Sequence, residues 1–332
     1  MKNLLITGGC GFIASNFINY LFRERPNQFK IVNLDKMDYC ARIDNVDKNV
    51  RENPNYVLVP GNCCSPELVS NLLEIYKIDI VFHLAAQSHV DHSFGNSLQF
   101  TKDNIVGTHN LLECAKKYGK IEKFIYMSTD EVQGDFNLRE ESKTLNPTNP
   151  YAATKASCEL LVESYAKSFK LPTIIIRSNN VYGPRQFWEK LIPRFIVLLS
   201  QSKKLTIQGS GQQTRVFVYS EDVARALEMV MDKGELFKIY SIGTDDEFSV
   251  LQIARMLISK IKNVELNEND DLSEWIKYIP DRDFNDSRYY VDVSELKNLG
   301  WSPNGLFSDN LDETIKWYIN HPEVLLETSD RH

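Results

Sequence analysis

The chain has 332 residues, 42% hydrophobic and 25% charged, which is enough apolar material for a sizeable core in two domains or one large domain with a lobe. Its net charge of −7 argues against a nucleic-acid binder, although a few local Arg, Lys and backbone N–H groups can still hold an anionic small molecule. No apolar run approaches the roughly 20 residues needed to span a bilayer.

The first nine residues read as a buried strand rather than a signal peptide. Leu4-Leu5-Ile6 runs into Thr7-Gly8-Gly9-Cys10-Gly11, and behind it Phe12, Ile13, Phe17, Ile18 and Leu21 recur at helical spacing. Strands are expected at Ile31–Asp35, Tyr56–Val59, Ile80–Leu84, Phe124–Met127 and Thr173–Ile176. Helices are expected near 66–76, 96–118 and 150–169. Alternating strands and helices imply an α/β fold, a doubly wound parallel sheet that binds ligands at the carboxyl ends of its strands. Beyond residue 180 the pattern loosens. Short strands at Leu205–Gln208, Arg215–Tyr219 and Ile239–Ile242 mix with helices near 221–232, 250–262 and 309–319, and residues 263–273 form an acidic loop. The expected division is a Rossmann-like domain over 1–180, with later segments returning to it, and a smaller mixed α/β substrate lobe over 181–332. Cys10, Cys40, Cys63, Cys64, Cys114 and Cys158 form no Cys-x-x-Cys pair and read as reduced thiols of a cytoplasmic protein. No metal is expected.

Gly8, Gly9 and Gly11 sit between a strand and a helix, where a tight turn lets a pyrophosphate approach the helix N-terminus. Ala14 replaces the third glycine of the usual fingerprint, as small a residue as close helix–strand packing tolerates. Asp35 ends the second strand, where a carboxylate accepts from ribose hydroxyls and repels a 2′-phosphate. That favours NAD over NADP, although Lys36 beside it could receive a phosphate. Tyr151 and Lys155 lie four residues apart on one helix face, and a nearby ammonium and the cofactor's positive charge would favour the phenolate. Taken alone, that pair reads more readily as two incidental residues of an amphipathic helix than as a catalytic pair. Ser128-Thr129 upstream and the glycine loop argue for catalysis.

Together, Thr7-Gly-Gly-Cys-Gly-Phe-Ile-Ala14, Leu84-Ala-Ala86, Tyr151-x-x-x-Lys155 and Asn180-Val-Tyr-Gly-Pro184 resemble the extended short-chain dehydrogenase/reductases over nearly the whole chain. Thr129-Asp130-Glu131 is similar to the nucleotide-sugar 4,6-dehydratases, whereas the epimerases of that superfamily have no such acid–base pair. The resemblance implies a lyase. Tyr151 takes the C4 hydroxyl proton beside Thr129 while C4 hydride passes to NAD. Glu131 takes the C5 proton and Asp130 protonates O6, then the hydride returns to C6. NAD would be retained and regenerated.

The resemblance also implies cofactor contacts from Gly8, Gly11, Phe12, Ile13, Asp35, Lys36, Asn62, Cys63, Leu84, Ala85, Ala86, Tyr151, Lys155 and Asn180. Substrate contacts are implied for Ser88, Thr129, Asn179, Lys190, Leu191, Thr206, Gln208, Arg215 and Arg282, with Arg288 a weaker phosphate candidate. His89 and Asp91 read as a local hydrogen-bonded turn. Gln133 and Asp246 depart from bacterial dTDP-glucose enzymes. Leu34–Cys40, Ser93–Ser97 and Asp281–Asp286 look like the dehydratase domain of eukaryotic rhamnose synthases. UDP-glucose is therefore the expected substrate, with dTDP-glucose the alternative and a UDP-sugar 4-epimerase the rival activity. A homodimer is expected, formed by the helices near 96–118 and 150–169, with a separate epimerase/reductase completing the deoxysugar toward rhamnose.

Overall fold

A computed structural model of the chain describes residues 1–134, 144–280 and 291–326. The strands are β1 (Lys2–Thr7), β2 (Phe29–Asp35), β3 (Tyr56–Pro60), β4 (Ile80–His83), β5 (Lys123–Met127), β6 (Thr173–Ser178), β7 (Asn180–Tyr182), β8 (Leu205–Gln208), β9 (Thr214–Tyr219), β10 (Ile239–Ile242), β11 (Glu247–Ser249) and β12 (Ile276–Ile279). The helices are α1 (Phe12–Glu24), α2 (Lys48–Arg51), α3 (Pro66–Ile75), α4 (Val90–Gly95), α5 (Ser97–Phe100), α6 (Gly107–Tyr118), α7 (Pro150–Phe169), α8 (Leu191–Ser200), α9 (Ser220–Lys233), α10 (Val250–Lys262), α11 (Ser294–Asn298), α12 (Phe307–Asn320) and α13 (Pro322–Leu326).

Seven strands form one sheet in the order β10-β6-β5-β4-β1-β2-β3, parallel at every pairing. Their sequences are continuously apolar, rather than alternating, because both faces are covered. Side chains still alternate between faces, as a period of two requires. Leu4, Ile6, Ile80, Phe82, Ile125 and Ile174 enter one core, under α1 and α9. Leu5, Val81, Phe124, Tyr126 and Ile175 enter the other, under α3, α6 and α7. Burying each such side chain contributes roughly 1.5–3 kcal/mol. Two elements from beyond residue 180 return here: α9 covers the sheet through Val223, Leu227 and Val230, and β10 extends its edge beside β6. A separate core joins α8, α10 and α12 through Phe195, Leu257 and Leu311, with the β12–β8 pair and the β11-β9-β7 sheet beside it.

The chain reverses direction across the sheet between β1 and β4, which opens a crevice at their carboxyl ends. The long helix expected over 96–118 runs from Ser97 to Tyr118, with a π-helical stretch at Thr101–Val106 between α5 and α6. That turn buries Asn104, whose side chain accepts from Gln87 N (2.8 Å) and donates to Gln87 O (3.1 Å) and Thr154 Oγ1 (2.9 Å). It thereby fastens the loop after β4 to α7. A second fastening is the buried pair of Arg177 on β6 and Glu159 on α7, bidentate at 3.0 and 2.7 Å. All six cysteines are free. Among the described residues, no helix is long and apolar enough to cross a membrane.

Candidate active site

A cavity of about 510 Å³ runs along the carboxyl ends of the sheet and beside the core of α8, α10 and α12. Among the described residues, every one given above a catalytic role or an implied cofactor or substrate contact lines it. Arg282, Arg288 and the rest of the Asp281–Asp286 segment lie outside the described residues. Convergence follows from topology, since each segment leaves the same end of a neighbouring parallel strand.

The glycine turn has little room. Gly8 adopts φ +74°, and a Cβ there would stand 2.7 Å from Ala85 Cα. A Cβ on Gly9 would meet Asn33 Oδ1 at 2.2 Å, the atom that instead accepts from Gly9 N at 2.9 Å. The turn thus packs backbone to backbone against the segment after β4, and α1 follows Gly11 with no side chain capping its free N–H groups. This cradle fits a dinucleotide pyrophosphate.

Asp35 accepts from Cys10 N at 2.8 Å and Met37 N at 2.7 Å, which leaves lone pairs for ribose hydroxyls. Burial raises its pKa, against those two bonds. Lys36 sits between Asp103 (2.8 Å) and Asp38 (2.9 Å). Its charge is already matched by two carboxylates, so a 2′-phosphate arriving here would face net negative charge. The doubt that Lys36 raised over NAD is removed by this pairing.

The chemistry centres on the turn after β5. Thr129 caps the short 3-10 helix Asp130–Gln133 and donates to Asp130 Oδ1 at 3.0 Å. Asn179, just beyond β6, donates to Asp130 Oδ2 at 2.7 Å. Burial raises the Asp130 pKa even against these two bonds. Glu131 is pushed up to about 7, first by burial and then by the adjacent Asp130. Asn149 Nδ2 donates to Glu131 Oε2 at 2.9 Å while its Oδ1 caps α7 by accepting from Ala152 N at 2.8 Å. Asn149 was missed in the sequence reading. Its signal was an N-cap residue followed by Pro150 at the first helical position, one residue before Tyr151.

Tyr151 is pushed up by burial, then by Glu131 and Asp130; the hydrogen bond with Thr129 works the other way. Lys155 is lowered to about 8 by burial. Its ammonium donates to Met127 O and lies 4.4 Å from the Tyr126 ring centroid. The expected lowering of Tyr151 by Lys155 is therefore not what the protein groups produce here, because two carboxyl groups and burial outweigh it. A cofactor's positive charge on this face is what would favour the phenolate. His83 is buried between Thr7 Oγ1 (2.8 Å) and Thr108 Oγ1 (2.9 Å), and burial lowers it to about 3, so it stays neutral.

On the far wall Lys190 donates to Ser88 O at 2.8 Å, with two further N–H donors left for anionic oxygens. Arg194, absent from the sequence reading, lines the cavity and donates to Thr206 Oγ1 at 2.7 Å. Its signal is hidden because α8 was not recognised in the sequence. Gln133 and Asp246 do not line the cavity. His89 is not part of a purely local turn: its Nε2 faces Glu189 Oε2 at 3.3 Å.

Comparison with known proteins agrees with this geometry. The sequence model of the family described as GDP-mannose 4,6 dehydratase matches residues 5–314. The chain is 47% identical over 97% of its length to the trifunctional UDP-glucose 4,6-dehydratase/UDP-4-keto-6-deoxy-D-glucose 3,5-epimerase/UDP-4-keto-L-rhamnose-reductase of Arabidopsis thaliana, covering 48% of that protein. It is 46% identical to the human dTDP-D-glucose 4,6-dehydratase, over 96% of this chain and 90% of that one. Thus the chain spans about half the length of the plant relatives and most of the animal one. The dTDP-glucose 4,6-dehydratase of Streptomyces venezuelae, solved with NAD bound, superposes with a TM-score of 0.89 at 32% identity, covering 97% of this chain and 98% of that one. This chain belongs to the GDP-mannose 4,6 dehydratase family, among the nucleotide-sugar 4,6-dehydratases of the extended short-chain dehydrogenase/reductases.

Proposed function

We propose that the protein is an NAD-dependent nucleotide-sugar 4,6-dehydratase that converts UDP-glucose to UDP-4-keto-6-deoxyglucose and water. The observation that carries this reading is the adjacent pair Asp130 and Glu131, both raised by burial, in one cavity with Tyr151. An epimerase needs only reversible oxidation at C4. Elimination across C5 and C6 needs in addition a base for the carbon acid and an acid for the leaving oxygen.

NAD, when bound, supplies a reversible hydride acceptor beside Tyr151 and Lys155. The protein groups do the rest. Tyr151 accepts the C4 hydroxyl proton, with Thr129 holding the phenolic oxygen. The resulting C4 carbonyl acidifies the C5 hydrogen. Glu131, with a pKa near working pH, removes it. Asp130 gives its proton to O6, and Thr129 and Asn179 stabilise the carboxylate it becomes. As C6 takes back the hydride that a bound nicotinamide would hold, Glu131 returns the proton to C5, which completes the 4-keto-6-deoxy product. Lys190, Arg194 and Arg215 supply positive charge for the diphosphate on the opposite wall.

Residues 1–180 would then mainly hold cofactor and residues 181–332 mainly substrate. The free cysteines suit a cytosolic setting. We also take the protein to be a homodimer, through the helix face that exposes Leu98, Val106 and Leu160.

Incubation with UDP-glucose and with dTDP-glucose, singly and in competition, tests the reading by product mass. Loss of one water without accumulation of NADH, faster on UDP-glucose, is the expected result. Faster turnover of dTDP-glucose would move the substrate to that sugar, as the human relative's name allows. Unchanged mass with formation of the C4 epimer would overturn the dehydratase.

A further inference from the structure

We propose that His89, His92 and Glu189 form a binding site for a divalent cation of the zinc class on the rim of the cavity. These residues play no part in the elimination chemistry. His89 precedes α4 and His92 lies one turn on, so the two imidazoles share a helix face. Their rings stack at 4.4 Å with an angle of 18° between planes. Both Nε2 atoms face one oxygen of Glu189, at 3.3 and 3.7 Å. All three donor atoms lie within 4.8 Å of one another, and this is the group of that kind among the described residues.

The two distances from Glu189 to the imidazoles, 3.3 and 3.7 Å, are close to ligand spacing at a metal. Tetrahedral ligands at zinc, with bonds of about 2.0–2.1 Å, stand about 3.3 Å apart. Two imidazoles and one carboxylate is also a ligand set that zinc uses when one position stays open. The Glu189 oxygen aimed at the imidazoles is shielded from solvent and makes no hydrogen bond. A single cation between the three donors would neutralise the carboxylate and engage a lone pair of each imidazole. Nitrogen ligands select against magnesium and calcium, which take oxygen.

The position gives the site a consequence. His89 adjoins Ser88, Glu189 adjoins Lys190, and Lys190 already donates to Ser88 O at 2.8 Å. A bound cation would tie the same two segments together at the cavity mouth, where the far wall meets the loop after β4.

The test uses untagged protein with its cofactor, stripped of metal by chelator. Competition dialysis should find one equivalent of Zn²⁺ retained, and Mg²⁺ should not displace it. His92→Asn removes a half-exposed ligand away from the catalytic groups, so the fold should survive. It should weaken Zn²⁺ at least about ten-fold, whereas His109→Asn should leave affinity unchanged. Co²⁺ substitution should give visible absorption that His92→Asn abolishes. A wild type that retains no equivalent, or a loss in His92→Asn smaller than ten-fold, overturns the site. Neither result bears on whether UDP-glucose is dehydrated.

Discussion

Glu131 is the residue whose energetics can be separated from its chemistry. Burial and Asp130 raise its pKa from 4.5 to about 7. The fold thus favours the protonated form. Stability attributable to this group is complete below pH 4.5 and is lost as pH rises through 7. Glu131→Gln keeps an acceptor for Asn149 and removes the ionisation. At pH 8 the variant should be more stable than wild type by about 1–3 kcal/mol, and the two should converge at pH 4. Thermal unfolding at both pH values measures this. Turnover of the same variant should fall at least about 100-fold. In wild type the kcat/KM of dehydration should rise with pH and level off above about 7, because the base must be ionised. A flat profile from pH 5 to 9 would remove Glu131 from the base role.

At the scale of elements, the site depends on turns that allow no extra atoms. Gly8→Ala places a Cβ 2.7 Å from Ala85 Cα at a positive φ, so the β1–α1 turn and the end of β4 must part. A loss of about 1–3 kcal/mol is expected from the backbone strain alone, together with loss of retained NAD. The readouts are the thermal midpoint and the nicotinamide released on denaturation. The glycines at 8 and 11 and the Tyr-Lys spacing were legible in the sequence, because local geometry demands them. The π-turn at Thr101–Val106 was not. It adds a residue to one helical turn without disturbing the apolar pattern on either side, and only the placement of Asn104 against Gln87 and Thr154 exposes it. Helix α8 was also missed. Its run Leu191–Ser200 is apolar on nearly all sides because it lies inside the core it shares with α10 and α12, which obscures the helical period.

At the scale of the whole molecule, Leu98 on α5 is 81% exposed and Leu160 on α7 59% exposed. A self-complementary pairing of α5–α7 would bury them in a four-helix contact. Sedimentation at working concentration should give a dimer, and Leu98→Lys with Leu160→Lys should give a monomer that still folds. A monomeric wild type would reject the pairing. By itself the sequence determined the order and type of the major elements, since strand and helix periods are properties of neighbouring residues. It also marked the glycine turn, Asp35, the Asp130-Glu131 pair and Tyr151 with Lys155, because that chemistry sits in short contiguous motifs. The tertiary structure alone decided which charges meet. Lys36 is matched by Asp103, Asn179 holds Asp130, Asn149 holds Glu131, and His89 turns to Glu189. Those partners lie far apart along the chain, and their encounter is fixed by strand order and packing, which no local pattern encodes.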